Sequence, residues 1–234
     1  MSLRTTHIVA DRPRQVGCSG ALRARRKFLH FFRHGFSDAR YIDWERGYKW
    51  NAHEEWNRKL GKAEFEQPLK NGEFLEIAAR VVRLESRTNL LFSFEKMAVR
   101  DAVKTIHGAR QFSEGLYALI YGADPLSKRF QSWLEVVASL PRKQTRVLTW
   151  PVVTVFGFLA RPDLHIFLKP TVTREAAGEY GFRFNYTSRP NWDCYANLLE
   201  FAQTLKSDLA DLQPKDLIDI QSFIWVQGSS EYTE

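Results

Sequence analysis

Apolar residues recur through this chain at intervals of three and four, and that spacing constrains its fold more than any other feature. Phe74, Ile77, Ala78, Val81 and Leu84 share one face of a helix after the Pro68 and Asn71-Gly72 break, because a turn takes about 3.6 residues. Phe94 to Lys104 and Phe112 to Tyr121 continue the pattern, and Asp124-Pro125 opens a helix that reaches Leu140 before Pro141 stops it. The uncharged stretch Val147 to Ala160 is fourteen residues long, too short to span a bilayer. With Thr149 as its cap it predicts a buried helix from Trp150 to Leu159. Asn191 begins a long helix in which Tyr195, Leu198, Leu199, Ala202, Leu205 and Leu209 share a face. Pro214 starts a last helix that is apolar almost all round, the pattern of a buried element.

From Ser37, a candidate N-cap, Tyr41, Trp44, Tyr48 and Trp56 fall on one helical stripe, with Arg40, Glu45 and Arg46 elsewhere around the helix. His165 to Pro170 and Phe182 to Tyr186 are short apolar runs that predict extended segments, with room for a two-stranded ribbon. Only 13 glycines are present, which argues against a sandwich of many short strands. The expected architecture is a mainly α, single multi-helix globular domain over residues 27–228. A short irregular or two-stranded segment falls around 160–190, and a short tail over 229–234.

The charge is unevenly placed. Arg4, Arg12, Arg14, Arg23, Arg25, Arg26 and Lys27 face only Asp11, and beyond them residues 28–234 hold 27 Lys and Arg against 26 Asp and Glu. The body is nearly neutral, so a long-range field that attracts nucleic acid or an acidic membrane belongs to the N-terminal segment alone. Residues 1–26 are expected to form a flexible basic arm, with order starting near Lys27. An Arg-rich, acid-poor start is also the composition of an organellar transit peptide. Cys18 and Cys194 are the only cysteines, which supports neither a disulfide framework nor a cysteine metal site and fits a cytoplasmic protein.

Several familiar sites are incomplete. His53-Glu54-Glu55-Trp56-Asn57 begins like a zinc-protease helix, but Asn57 stands where the second histidine is needed. His30 and His34 have the i, i+4 spacing of a shared metal site, yet the phenylalanines around them fit an apolar anchor better. Pro162-Asp163 followed by Phe167-Leu168-Lys169 resembles a metal-dependent nuclease pattern, with Phe167 in place of the second carboxylate. Asp43, Glu45, Asp101 and Asp193 read as ordinary surface carboxylates. No G-x-S-x-G elbow, G-x-x-x-x-G-K loop or G-x-G-x-x-G turn occurs. No catalytic residue, metal ligand or cofactor is assigned.

One cluster carries a specific expectation. Lys169, Thr171, Thr173 and Arg174 lie at the start of a short helix, where free backbone N–H groups and the helix dipole favour an anion. Arg183, Arg189 and Trp192 follow, with Tyr186, as charges for phosphates and rings for an unpaired base. The simpler alternative is that Thr173 caps the helix and Arg189 pairs with a neighbouring carboxylate.

Trp150-Pro151, the run His165 to Pro170, Pro190-Asn191-Trp192 and the run Pro214 to Val226 resemble the C-terminal half of an uncharacterised bacterial protein family, over about residues 110–228. Similar segments occur in bacterial proteins associated with DNA restriction or defence, and the resemblance implies no catalytic residue. The expected function is a non-enzymatic nucleic-acid-associated accessory protein with DNA or RNA as partner and no membrane. The alternatives are a protein-protein interaction module, using the aromatic helix 37–57 or the C-terminal helix, and a metal-dependent nuclease or hydrolase.

Overall fold

The computed structural model describes residues 18–143 and 145–233. The described residues are 71% helical, with no strand among them, as a mainly α domain requires. Helix α1 (Cys18–Phe31) begins well ahead of Lys27. Ala24 and Phe28, one turn apart, are buried beneath it. Arg23 pairs with Glu179 and Arg25 with Asp211, so part of the expected arm is docked on the body. The remainder of that arm, residues 1–17, lies outside the described residues.

The next helical stretch differs most from its sequence pattern. A short α2 (Ala39–Tyr41) runs through a π-turn at Ile42–Arg46 into α3 (Gly47–Leu60). A π-turn holds an extra residue and rotates everything before it relative to everything after. Tyr41 and Trp56 are buried as expected, but Trp44 is 51% exposed, while Glu45, Arg46 and Lys49 are turned inward. The interior therefore holds charges, and α12 (Leu217–Gly228) supplies their partners. Arg46 reaches Asp216 at 2.7 Å and Asp219 at 2.7 Å. The Lys49 ammonium donates to Glu45 at 3.1 Å and to the Ser222 hydroxyl at 2.8 Å, and the Tyr232 hydroxyl donates to Glu45 at 2.6 Å. Burial lowers the Lys49 pKa despite the Glu45 carboxylate beside it. Glu45 is thus an interior residue and not a surface carboxylate.

Helices α4 (Lys62–Lys70), α5 (Phe74–Glu85), α6 (Ser93–Ala102), α7 (Ile106–Tyr121) and α8 (Leu126–Ser139) follow. Around their common centre runs α9 (Trp150–Ala160), buried along its whole length and capped by Thr149, whose hydroxyl accepts from the Val152 N–H. Trp133 and Phe156 pack edge to face with Phe112, and the Trp133 indole donates to the Val153 carbonyl at 3.0 Å. A buried indole needs such a partner.

The segment after α9 is extended but forms no ribbon, the irregular of the two forms expected around 160–190. Ile166 donates its N–H to the Tyr195 hydroxyl at 3.1 Å, and Leu168 donates to the Thr154 hydroxyl at 3.0 Å. Side-chain oxygens take the place of a neighbouring strand, so residues 165–168 cross the core without a ladder. Residues 182–186 are likewise irregular, tied by the Asn185 N–H to the Asn197 side chain.

Helix α10 (Pro170–Tyr180) lies against α12, α1 and the ends of the interior network, and α11 (Trp192–Asp208) is capped by Asn191. The α10 and α12 backbones meet at Gly228. A β-carbon there would stand 2.1 Å from the Val172 carbonyl oxygen, so only glycine permits the approach. Helix α12 is buried almost throughout and is part of the core, with Leu217 and Trp225 half-buried.

Candidate nucleotide-binding cleft

A cleft of about 650 Å³ opens where three helices begin. The residues that precede α6, α9 and α10, namely Phe92, Thr149 and Lys169, all line it. The first amides of a helix carry partial positive charge, which attracts an anion, while Glu95, Glu175 and Glu231 in the same lining attract donor groups. The local sequences of the three helix starts explain the geometry. Glu95 accepts the Phe92 N–H at 3.0 Å and the Thr149 hydroxyl at 3.2 Å, so one carboxylate ties the α6 start to the α9 start. Helix α10 has Pro170 in its first turn and no side-chain cap, which leaves its next amides without a side-chain acceptor.

Rings form the apolar part of the cleft. Phe92 and Phe94 stack on each other, with centroids 5.5 Å apart and planes 19° from parallel, and are 53% and 48% exposed. Phenylalanines two apart cannot both enter the core from one helix face, and at the α6 start neither does. Trp150, Tyr186 and Trp225 also line the space. Trp150 donates its indole N–H to the Thr187 carbonyl at 2.7 Å, which holds the 187–190 loop against α9.

Lys169 sets the height of the aromatic wall. Its ammonium stands 3.6 Å from the Phe92 ring centroid and donates to the Leu90 carbonyl at 3.1 Å. Partial burial lowers its pKa, opposed by Glu95 and Glu231. A cation over a ring face and hydrogen-bonded below is a pre-set donor. Glu175 and Glu231 join Glu95 in the lining. The cleft thus combines ring faces, a lysine, helix-start amides and carboxylates that can accept from amino groups.

The residues expected to bind an anion divide among separate places. Lys169 and Thr171 line the cleft, and Arg174 stacks over the Tyr186 ring at 5.3 Å on its border. Arg189 lies in the loop held by Trp150, beyond the cleft. Thr173 is buried inside α10 and caps nothing, so it serves neither expectation. Trp192 is half-buried with its ring 6.1 Å from Phe130 and 6.2 Å from Tyr195, and it is not in the cleft lining. Arg183 is exposed and lines none of these recesses. Phe92, Phe94 and Arg146 escaped sequence reasoning. The Phe-Ser-Phe spacing at a helix start was the available signal for the two rings, while nothing local marks Arg146.

The other sites considered from sequence are not assembled. Asp163 is held by one edge of the Arg161 guanidinium, whose Nε and Nη2 donate to its two oxygens at 2.9 and 2.7 Å, while Lys169 bonds elsewhere and Phe167 is buried. His53 faces the Leu159 carbonyl at 2.8 Å and Asn57 at 3.0 Å. His34 lies beyond the end of α1, out of helical phase with His30. No group of three or more metal-ligating side chains is gathered among the described residues, and no helix among them is long and apolar enough to cross a membrane. No protein-family model matches the chain, and no curated protein or solved structure matches it either.

Proposed function

We propose that this protein is a non-enzymatic accessory protein that binds unpaired nucleic acid, DNA or RNA, with a base held in the cleft against Phe92 and Phe94. The observation that supports this most is an exposed, stacked pair of rings beside Lys169 at the junction of three helix starts. Ring faces bind any base by stacking, and amides with a lysine serve the adjoining phosphate. A cleft of about 650 Å³ is of the size that encloses one small organic group, within the roughly 300–1,000 Å³ of ordinary ligand sites. Such a role belongs in the cytoplasm.

The double substitution Phe92→Ala/Phe94→Ala is expected to weaken binding of a single-stranded oligonucleotide by about 1–3 kcal/mol per stacked base. Both rings are on the surface, so the helical circular dichroism should not change. A duplex, whose bases are already stacked, should bind more weakly than the single strand. Fluorescence anisotropy measures both; equal affinity for duplex and single strand, or no effect of the substitutions, contradicts the proposal.

A second reading has its own observation. Met97 is 47% exposed beside Phe92 and Phe94, so the three form an apolar surface of the kind that docks a protein partner. Under that reading the same substitutions leave oligonucleotide binding untouched.

A further inference from the structure

A second recess, of about 450 Å³, continues from the cleft and shares Arg146, Leu148 and Ser188 with it. Its floor is apolar, formed by Val137, Leu140, Val147 and Pro190, and its charged lining is Arg142, Arg146 and Arg189. No carboxylate lines it. The three guanidinium groups are exposed, and none takes part in an ion pair among the described residues. Three like charges around one concavity repel each other, a cost that an anion with several oxygens relieves.

The Arg189 side of the recess is held in place. Thr187 donates its hydroxyl to the Arg189 carbonyl at 2.9 Å, and the Asn191 side-chain nitrogen donates to the same carbonyl at 3.1 Å while its oxygen accepts the Cys194 N–H and caps α11. Trp150 fastens the loop from below through Thr187. The loop that carries Arg189 is therefore fixed to the element that floors the cleft. The two recesses differ in chemistry: the cleft holds exposed rings and carboxylates, and the continuation holds unpaired arginines over an apolar floor. A base needs the first environment and a sugar-phosphate backbone the second.

We infer that Arg142, Arg146 and Arg189 bind the phosphates of the nucleotides that follow the one seated in the cleft. The ligand is then a strand and not a mononucleotide. This rests on the nucleic-acid reading of the cleft and adds the path of the strand, from the Phe92 wall past Arg146 to Arg142 and Arg189.

The test uses the full chain and a labelled oligothymidylate of about twelve nucleotides, within the site sizes usual for single-strand binders, titrated by fluorescence anisotropy across a salt series. Thymidine monophosphate serves as a competitor. Arg142→Gln/Arg189→Gln is expected to weaken the oligomer about tenfold or more at moderate salt. It should also make the slope of log affinity against log salt shallower by about 1.4, since each phosphate contact on a single strand contributes about 0.7. Phe92→Ala/Phe94→Ala should weaken the oligomer with its slope unchanged, and competition by the monophosphate should not depend on the arginine pair. Wild-type affinity and slope in the arginine variant, with the phenylalanine variant weakened, overturns the arginine path and leaves the cleft reading standing. No binding of the oligomer by the unaltered protein overturns both.

Discussion

Asp219→Ala is expected to cost about 3–5 kcal/mol of stability, the loss typical when one partner is removed from a buried ion pair. Asp219 has no exposed surface. One carboxylate oxygen accepts from the Tyr41 hydroxyl and from Arg46 at 2.7 Å, and the other accepts the Lys215 N–H at 2.7 Å. Removing it leaves a buried phenol and a backbone N–H unpaired, and leaves Arg46 with Asp216 alone. Burial works against charge on Arg46, but the hydrogen bonds and charges of Asp216 and Asp219 more than offset it and raise its pKa. Arg46 is therefore charged in the folded protein, and the substitution leaves that charge with half of its compensation. Chemical denaturation should show the loss as a lower midpoint at unchanged slope. A loss under about 1 kcal/mol would show that the network contributes little and that α12 is held by its apolar face.

The second large effect concerns acid stability and lies at His165. The ring is buried, its Nε2 has no hydrogen-bond partner, and its Nδ1 is 3.3 Å from the Tyr195 hydroxyl. Burial, with smaller contributions from the charges of Arg129 and Arg161, pushes its pKa down to about 3. The folded state thus holds the ring neutral, whereas the unfolded chain takes up a proton near the ordinary value of about 6.5. The resulting stability is complete above about pH 6.5 and is lost progressively as the pH falls toward 3, at about 1.4 kcal/mol per pH unit. His165→Gln removes this titration. Between about pH 6 and pH 4 the unaltered protein should lose stability more steeply than the variant by that amount per unit. Parallel profiles would show that the ring is protonated in the folded protein. The site is also tightly packed, since a β-carbon on Gly157 would meet the imidazole at 2.8 Å.

The fold was legible wherever burial followed a helical period. Val81 and Leu84 of α5, the uncharged α9 and the apolar α12 all lie where their spacing places them. The period failed where a local event or a distant partner took over. The π-turn at Ile42–Arg46 rotates Trp44 outward and Glu45 inward, and no property of those residue types announces an extra residue in a turn. Arg46 reads as solvent-facing because the carboxylates that neutralise it, Asp216 and Asp219, are about 170 positions away at the start of α12. Residues 165–168 look like a strand because strand and threaded segment share one composition, and the Thr154 and Tyr195 hydroxyls that satisfy them are remote in sequence.

The candidate site was legible in part for the same reason. Lys169 and Thr171 line the cleft, and a helix start with its charges marks them locally. The convergence of that start with the starts of α6 and α9 is tertiary, and so is the placing of Phe92 opposite Lys169. Thr173 and Trp192 are near the cluster in sequence, yet Thr173 is buried in α10 and Trp192 packs toward Phe130.

The decisive comparison is anisotropy binding of a single-stranded oligonucleotide, across a salt series, by the full chain, by Phe92→Ala/Phe94→Ala and by Arg4→Gln/Arg12→Gln/Arg14→Gln. If the cleft is the binding site, the variant with three neutralised arginines keeps most of its affinity and its preference for single strands, and the phenylalanine variant loses both. If the N-terminal charge alone attracts the nucleic acid, the phenylalanine variant binds like the unaltered protein and the arginine variant does not bind.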